Sequence, residues 1–265
     1  MILDAIVAST RLALAARRAA RPERALGESL SVLSPTLDVV GALRRRTGVN
    51  IIAEVKRASP SRGALNAHLV PADLAATYAC AGAAAVSVLT EGRFFRGSLD
   101  DLRAARQGLA RAGRVCPLLC KDFILERYQL LEARLAGADA VLLIATILED
   151  GPLAALFEQA LELGLTPLVE VHDERELGRA LRLDPPLVGI NNRNLRDFTV
   201  NLETTRLLRP LAPAPAVVVA ESGIHSAAEM SALASWGVDA ALVGEALVSA
   251  PDPAARLREL LEAGR

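Results

Sequence analysis

A chain of 265 residues with 52% apolar side chains can bury a sizeable core, and its length suits an α/β barrel better than one ordinary domain. Its net charge of −1 removes any electrostatic case for nucleic acid or an anionic membrane, and 3% aromatics offers no base-stacking platform. No stretch approaches the ~18 uncharged apolar residues of a membrane span, and Asp4 and Arg11 break any secretory h-region, so a cytoplasmic protein is expected.

The first 48 residues read as a helical extension. A helix over 2–20 has Ile2, Ile6 and Leu14 among its apolar positions and Arg11, Arg17 and Arg18 on the polar side; Pro22 ends it. A short helical turn is predicted at 28–33, and an amphipathic helix over 37–46, closing near Gly48.

From residue 51 a regular alternation begins. Short, apolar, strand-like runs fall at 51–56, 84–89, 117–121, 140–144, 166–171, 187–191, 217–221 and 240–243. Helical patterns follow at 71–81, 98–112, 126–136, 150–163, 174–183, 201–209, 226–236 and 253–263. Several open on capping residues, such as Ser226 with Glu229, and several close before glycine, as at Gly82, Gly137, Gly164 and Gly237. Eight such repeats predict a closed (β/α)8 barrel over 49–265, in one domain with the extension. An open doubly wound sheet would usually carry GxGxxG after its first strand, and none exists here.

Active sites of such barrels lie at the strand C-termini. In the first strand Glu54 and Lys56 are two apart and share a face. As a solvated edge pair they would be worth little; facing a cavity they become a candidate acid–base pair. Polar residues close other strands too: Ser87 with Glu91, Lys121, Glu170 with His172, Asn191 with Arg193, Glu221 with Ser222, and Gly244 with Glu245. Of 30 basic residues two are lysines, Lys56 and Lys121, and both end strand-like runs. A guanidinium hardly releases its proton, so this pattern points to positions that need lysine chemistry. Lysines and glutamates on one cavity suit proton transfer.

The turns after strands seven and eight, with Ser222-Gly223 and Gly244, can cradle a phosphate, helped by the loop containing Ser59. His68, His172 and His225 share no ligand spacing, so no metal is expected, and each histidine is read as a surface or supporting residue. Cys80, Cys116 and Cys120 form no CxxC and are read as core positions in a reducing compartment. Trp236, ending a helix, is read as packing.

The sequence resembles the indole-3-glycerol phosphate synthase family of tryptophan biosynthesis. The resemblance rests on IIAEVKRASPSRG (51–63), VSVLTEGRFFRGSLDDL (86–102), LLCKDFI (118–124), LVEVHDE (168–174), GINNRNL (189–195), AESGI (220–224) and LVGEAL (242–247). It implies a TIM barrel that closes the indole ring of 1-(2-carboxyphenylamino)-1-deoxyribulose 5-phosphate, releasing carbon dioxide and water without a cofactor or metal. By motif, Lys121 resembles the general acid for carbonyl attack. Glu170 and Lys56, the latter paired to Glu54, resemble the groups serving dehydration, with their division open. Asn191 resembles the residue holding a hydroxyl or carboxylate of the substrate, Phe95 and Arg193 the anthranilate pocket, and Glu221 a residue touching the substrate. Ser222, Gly223, Gly244 and Ser59 resemble the phosphate site. The family implies a monomer, with weak association with other enzymes of that pathway left open. Rival readings are a phosphoribosylanthranilate isomerase, a Schiff-base aldolase on Lys121, and a phosphate-binding scaffold without turnover.

Overall fold

The computed structural model describes residues 2–44, 47–195 and 198–265. Eight parallel strands close into a barrel: β1 (Asn50–Val55), β2 (Ala85–Leu89), β3 (Leu118–Lys121), β4 (Ala140–Ile144), β5 (Thr166–Val171), β6 (Leu187–Asn191), β7 (Val217–Glu221) and β8 (Ala240–Val243). Each pairs with its neighbours in sequence, and β1 meets β8 with Asn50 beside Ala240. The expected strands differ from these by at most one residue at an end. The strands are buried on both faces, as their unbroken apolar character requires.

The helices run in chain order as α1 (Ile2–Ala20), α2 (Glu23–Glu28), α3 (Val39–Leu43), α4 (Pro71–Ala81), α5 (Leu99–Arg111), α6 (Arg127–Leu135), α7 (Asp150–Glu162), α8 (Glu174–Leu181), α9 (Glu203–Leu208), α10 (Ala227–Ser235), α11 (Glu245–Val248) and α12 (Pro253–Ala263). Local chemistry sets their ends. Asp173 accepts the Glu176 N–H to start α8, Ser226 and Glu229 form a capping box on α10, and Gly82 closes α4 at φ 106°. Two cores result. One fills the shell between strands and helices; the other fills the barrel interior with Ile52, Leu119, Leu142, Leu168, Val219 and Leu242.

The extension is more than an addition to the barrel. Val39 and Leu43 of α3 join the interior core, and the Leu37 N–H donates to Asp139 just ahead of β4. At the other end of the barrel, Leu3 and Ile6 of α1 pack into the same interior core. Leu14, Leu26, Tyr128 and Leu131 hold the extension on α6, where Arg17 Nε lies 2.9 Å from Glu132. The predicted helix over 37–46 is shorter, because Asp38 caps it and Arg44 is already extended at ψ 123°; positions 45 and 46 lie outside the described residues. The turn predicted at 28–33 is a 3₁₀ turn, Ser29–Val32.

Three features were not anticipated: α2, α11 and a small hairpin pairing Ala58–Ser59 with Gly63–Ala64. Cys116 and Cys120 are buried as expected, but Cys80 is exposed. The buried stripe of α4 runs through Ala72, Ala75 and Tyr78, and Cys80 falls off it. Trp236 caps α10 and packs against the core.

Candidate active site

One cavity opens at the C-terminal ends of the strands, with about 1080 Å³ of space not filled by protein, solvent included. It gathers all twelve residues singled out from the sequence: Glu54, Lys56, Ser59, Phe95, Lys121, Glu170, Asn191, Arg193, Glu221, Ser222, Gly223 and Gly244. The barrel geometry explains the convergence. Inward positions alternate along each strand, so Ile52 lies in the core while Glu54 and Lys56 rise above it on the same face.

Charge on the cavity floor is arranged in pairs. Lys56 Nζ lies 2.7 Å from Glu54 Oε2. Lys121 Nζ lies 3.2 Å from Glu221 Oε2 and 3.4 Å from Glu170 Oε2. Glu170 and Glu221 are each 1% exposed, so solvent does little for their charge. Burial works against the Lys121 ammonium, but Glu221, Glu170 and Glu54 outweigh it and hold the group above the ordinary lysine range. The two glutamates part ways. Burial pushes the Glu221 carboxyl up to about 8, helped by Glu170 and Glu54 and only partly offset by Lys121. Burial also acts on Glu170, but Lys121, His172 and a hydrogen bond from Asn191 outweigh it and hold its carboxyl below the usual range. The floor therefore favours an ammonium on Lys121 and a negative charge on Glu170, and draws a proton to Glu221.

Around the rim, Asn191 Oδ1 accepts the Arg193 N–H at 3.0 Å, and Arg193 Nη1 donates to the Phe198 carbonyl at 3.2 Å. Phe95 and Phe123 stand with ring centroids 6.0 Å apart. Glu91 positions Phe95: its buried carboxylate accepts the N–H groups of Arg93, Phe94 and Phe95 at 2.7–3.0 Å. Ser222 and Gly223 both take positive φ, 65° and 78°, and a Cβ on Gly223 would come within 2.5 Å of Val200. Gly244 leads straight into α11, whereas the turn after β7 reaches α10 only after Ser226.

Of the histidines, His68 is exposed and His225 sits exposed on the cavity rim. His172 is largely buried behind Glu170. Sequence reasoning missed the apolar wall given by Ile2, Leu3 and Ile6 of α1; Asp122, expected beside Lys121 at the end of the third strand, also lines the cavity, and its Oδ2 accepts the Thr90 hydroxyl at 2.7 Å. The apolar stripe of α1 predicted a buried face but not which surface would receive it. Among the described residues, no group of three His, Cys, Asp or Glu side chains is placed to hold a metal ion.

The fold and this floor define a (β/α)8-barrel enzyme built for acid–base chemistry on an anionic substrate. The family model for indole-3-glycerol phosphate synthase matches residues 3–260, and the chain belongs to that family. It is 47% identical over 262 residues to the indole-3-glycerol phosphate synthase of Roseiflexus castenholzii, covering 98% of this chain and 97% of the relative. It is 48% identical over 259 residues to that of Nocardioides sp., with 98% and 97% covered. Among solved structures, thiamine phosphate pyrophosphorylase from Pyrococcus furiosus superposes with a TM-score of 0.62 at 18% identity, over 85% of this chain and 97% of that one, a likeness of fold alone.

Proposed function

We propose that the chain converts 1-(2-carboxyphenylamino)-1-deoxyribulose 5-phosphate to indole-3-glycerol phosphate, carbon dioxide and water, as a decarboxylating lyase of tryptophan biosynthesis. The observation that carries this reading is the convergence of the chain's two lysines with Glu54, Glu170 and Glu221 on one cavity. Ring closure needs a proton donor where the ketone becomes an alkoxide. Lys121, held charged by three carboxylates, is that donor, and its ammonium stabilises the oxygen as charge develops. Loss of the carboxylate as carbon dioxide leaves a hydroxyl to be expelled. Lys56, steadied by Glu54, protonates that hydroxyl, and ionised Glu170 takes the balancing proton. Neutral Glu221 donates a hydrogen bond to the reacting end. Environments that push two neighbouring carboxyls apart in acidity are a recurring way of separating such roles.

Asn191 and Arg193 hold the polar end of the substrate, and Phe95, with Leu3 and Ile6 of the extension, packs its aromatic ring. The phosphate lies at Ser222, Gly223 and Gly244, with Ser59 opposite; the left-handed turn and the absence of side chains let backbone approach the anion. The reading needs no cofactor, since every donor and acceptor comes from the chain. A monomeric cytoplasmic enzyme goes with it.

The test is indole fluorescence on incubating purified protein with the carboxyphenylamino substrate and no additive. Turnover supports the reading. Its absence under all conditions, in a folded protein, overturns it.

A further inference from the structure

Glu170 and Glu221 are equally buried and share Lys121, yet they differ in their second neighbour. His172 Nε2 lies 3.4 Å from Glu170 Oε1, the oxygen turned away from Lys121. The other ring nitrogen, Nδ1, lies 3.1 Å from Glu176 Oε2 and 3.0 Å from Thr146 Oγ1. The Thr146 hydroxyl donates to Glu176 Oε1 at 2.8 Å, so its oxygen is left to accept from the ring. Glu176 Oε2 also accepts the His172 backbone N–H at 2.9 Å. Glu176 itself stands on the first turn of α8, started by Asp173. With a carboxylate oxygen beside each ring nitrogen, a neutral imidazole would set a lone pair against an anion; protons on both nitrogens remove that conflict.

We propose that His172 is a positioning residue that decides which of the two buried glutamates carries the negative charge: as a cation locked by Glu176 and Thr146, it fixes the charge on Glu170 and leaves the proton on Glu221. The charged and titratable groups facing the ring act in one direction. They are Glu170 from β5, Glu176 from α8 and, further off, Glu221 from β7. Burial alone would neutralise the ring, and these three outweigh it. Lys121 from β3 faces the opposite oxygen of Glu170 and acts on both glutamates alike. Lys121 therefore does little to distinguish them; the Asn191 hydrogen bond and His172 both favour charge on Glu170, and of these two only His172 brings a charge of its own. No other function in the site is assigned to this histidine, which stands outside the cavity lining.

The inference rests on the reading of Glu170 as the dehydration base. The experiment is the pH profile of kcat and kcat/KM for His172→Gln, which keeps donors at the site but cannot become a cation. We expect kcat to fall about tenfold or more, KM to change little, and the acid limb of kcat/KM to move up by about one pH unit. An acid limb left in place overturns the proposal, whatever happens to kcat. Glu176→Gln covers the case in which His172→Gln fails to fold. It weakens the lock on the cation, so activity should survive at low pH and fall earlier as pH rises; an unchanged alkaline limb overturns the proposal. Glu170→Gln separates this inference from the reading beneath it. If Glu170→Gln keeps wild-type turnover, both fall. If it abolishes turnover while neither supporting variant moves a limb, only the role of His172 falls.

Discussion

A Cβ added at Gly189 would lie 2.2 Å from Glu221 Oε1, and one at Gly244 would lie 2.2 Å from Glu54 Oε2 and 3.1 Å from Lys56 Nζ. The two carboxylates thus occupy space that only glycine leaves open. Gly244→Ala should keep the barrel intact by circular dichroism but displace the Glu54–Lys56 pair, lowering kcat by about 10²-fold in steady-state assays. Lys121→Arg asks a different question. It keeps the charge between Glu170 and Glu221 but removes a proton that can be given up, in a chain that uses arginine for every other basic residue except Lys56. Turnover should drop by roughly 10²- to 10⁴-fold with the thermal midpoint little changed. At this scale much was legible. Two-residue spacing put Glu54 and Lys56 on one face, and it equally links Glu170 and His172. That second pairing and a supporting place for His172 were legible; its partners were not, because the Glu176 and Thr146 contacts that lock it come from other elements.

The loop between β2 and α5 depends on a single carboxylate. Glu91 gathers three N–H groups, and hydrogen bonds to a charged acceptor are worth roughly 1.5–3 kcal/mol each. Glu91→Gln leaves one acceptor oxygen, so Phe95 should lose its fixed place, and KM should rise about tenfold with kcat less affected. The strands were readable because each is an apolar run bounded by turn formers, and β4, β5, β6, β7 and β8 match their predicted ends. The hairpin after β1 was not, because two-residue strands carry no periodicity. The exposure of Cys80 was misjudged for a related reason. An alanine-rich helix such as α4 shows weak contrast between its faces, so the buried stripe is set by what packs on it.

The barrel as a whole carries a pH signature. Glu221 binds its proton more tightly in the folded state, near 8, than the ordinary 4.5 of an unfolded chain. Its stabilising contribution is therefore complete below about 4.5 and is lost as pH rises through 8. Denaturant melts from pH 5 to 8 should show wild-type stability declining relative to Glu221→Gln, which cannot ionise; parallel curves would contradict the assignment. The single closed barrel and its C-terminal cavity were legible from eight repeats. The route of the extension was not, because it depends on which end of a finished barrel offers an apolar socket to Leu3, Ile6, Val39 and Leu43.

That route fixes an order of events during synthesis. α1 and α3 leave the ribosome ahead of the barrel, yet their docking surfaces belong to α6, to Asp139 and to interior residues as late as Leu242. Leu14 has no socket until α6 has emerged, and the socket of Leu3 and Ile6 is complete only with the last strand, although each is buried in the folded chain. The extension is therefore made before the barrel that receives it, and part of its apolar stripe stays uncovered in the meantime. This is a standing exposure to aggregation in the nascent chain, and one that a holdase chaperone would relieve.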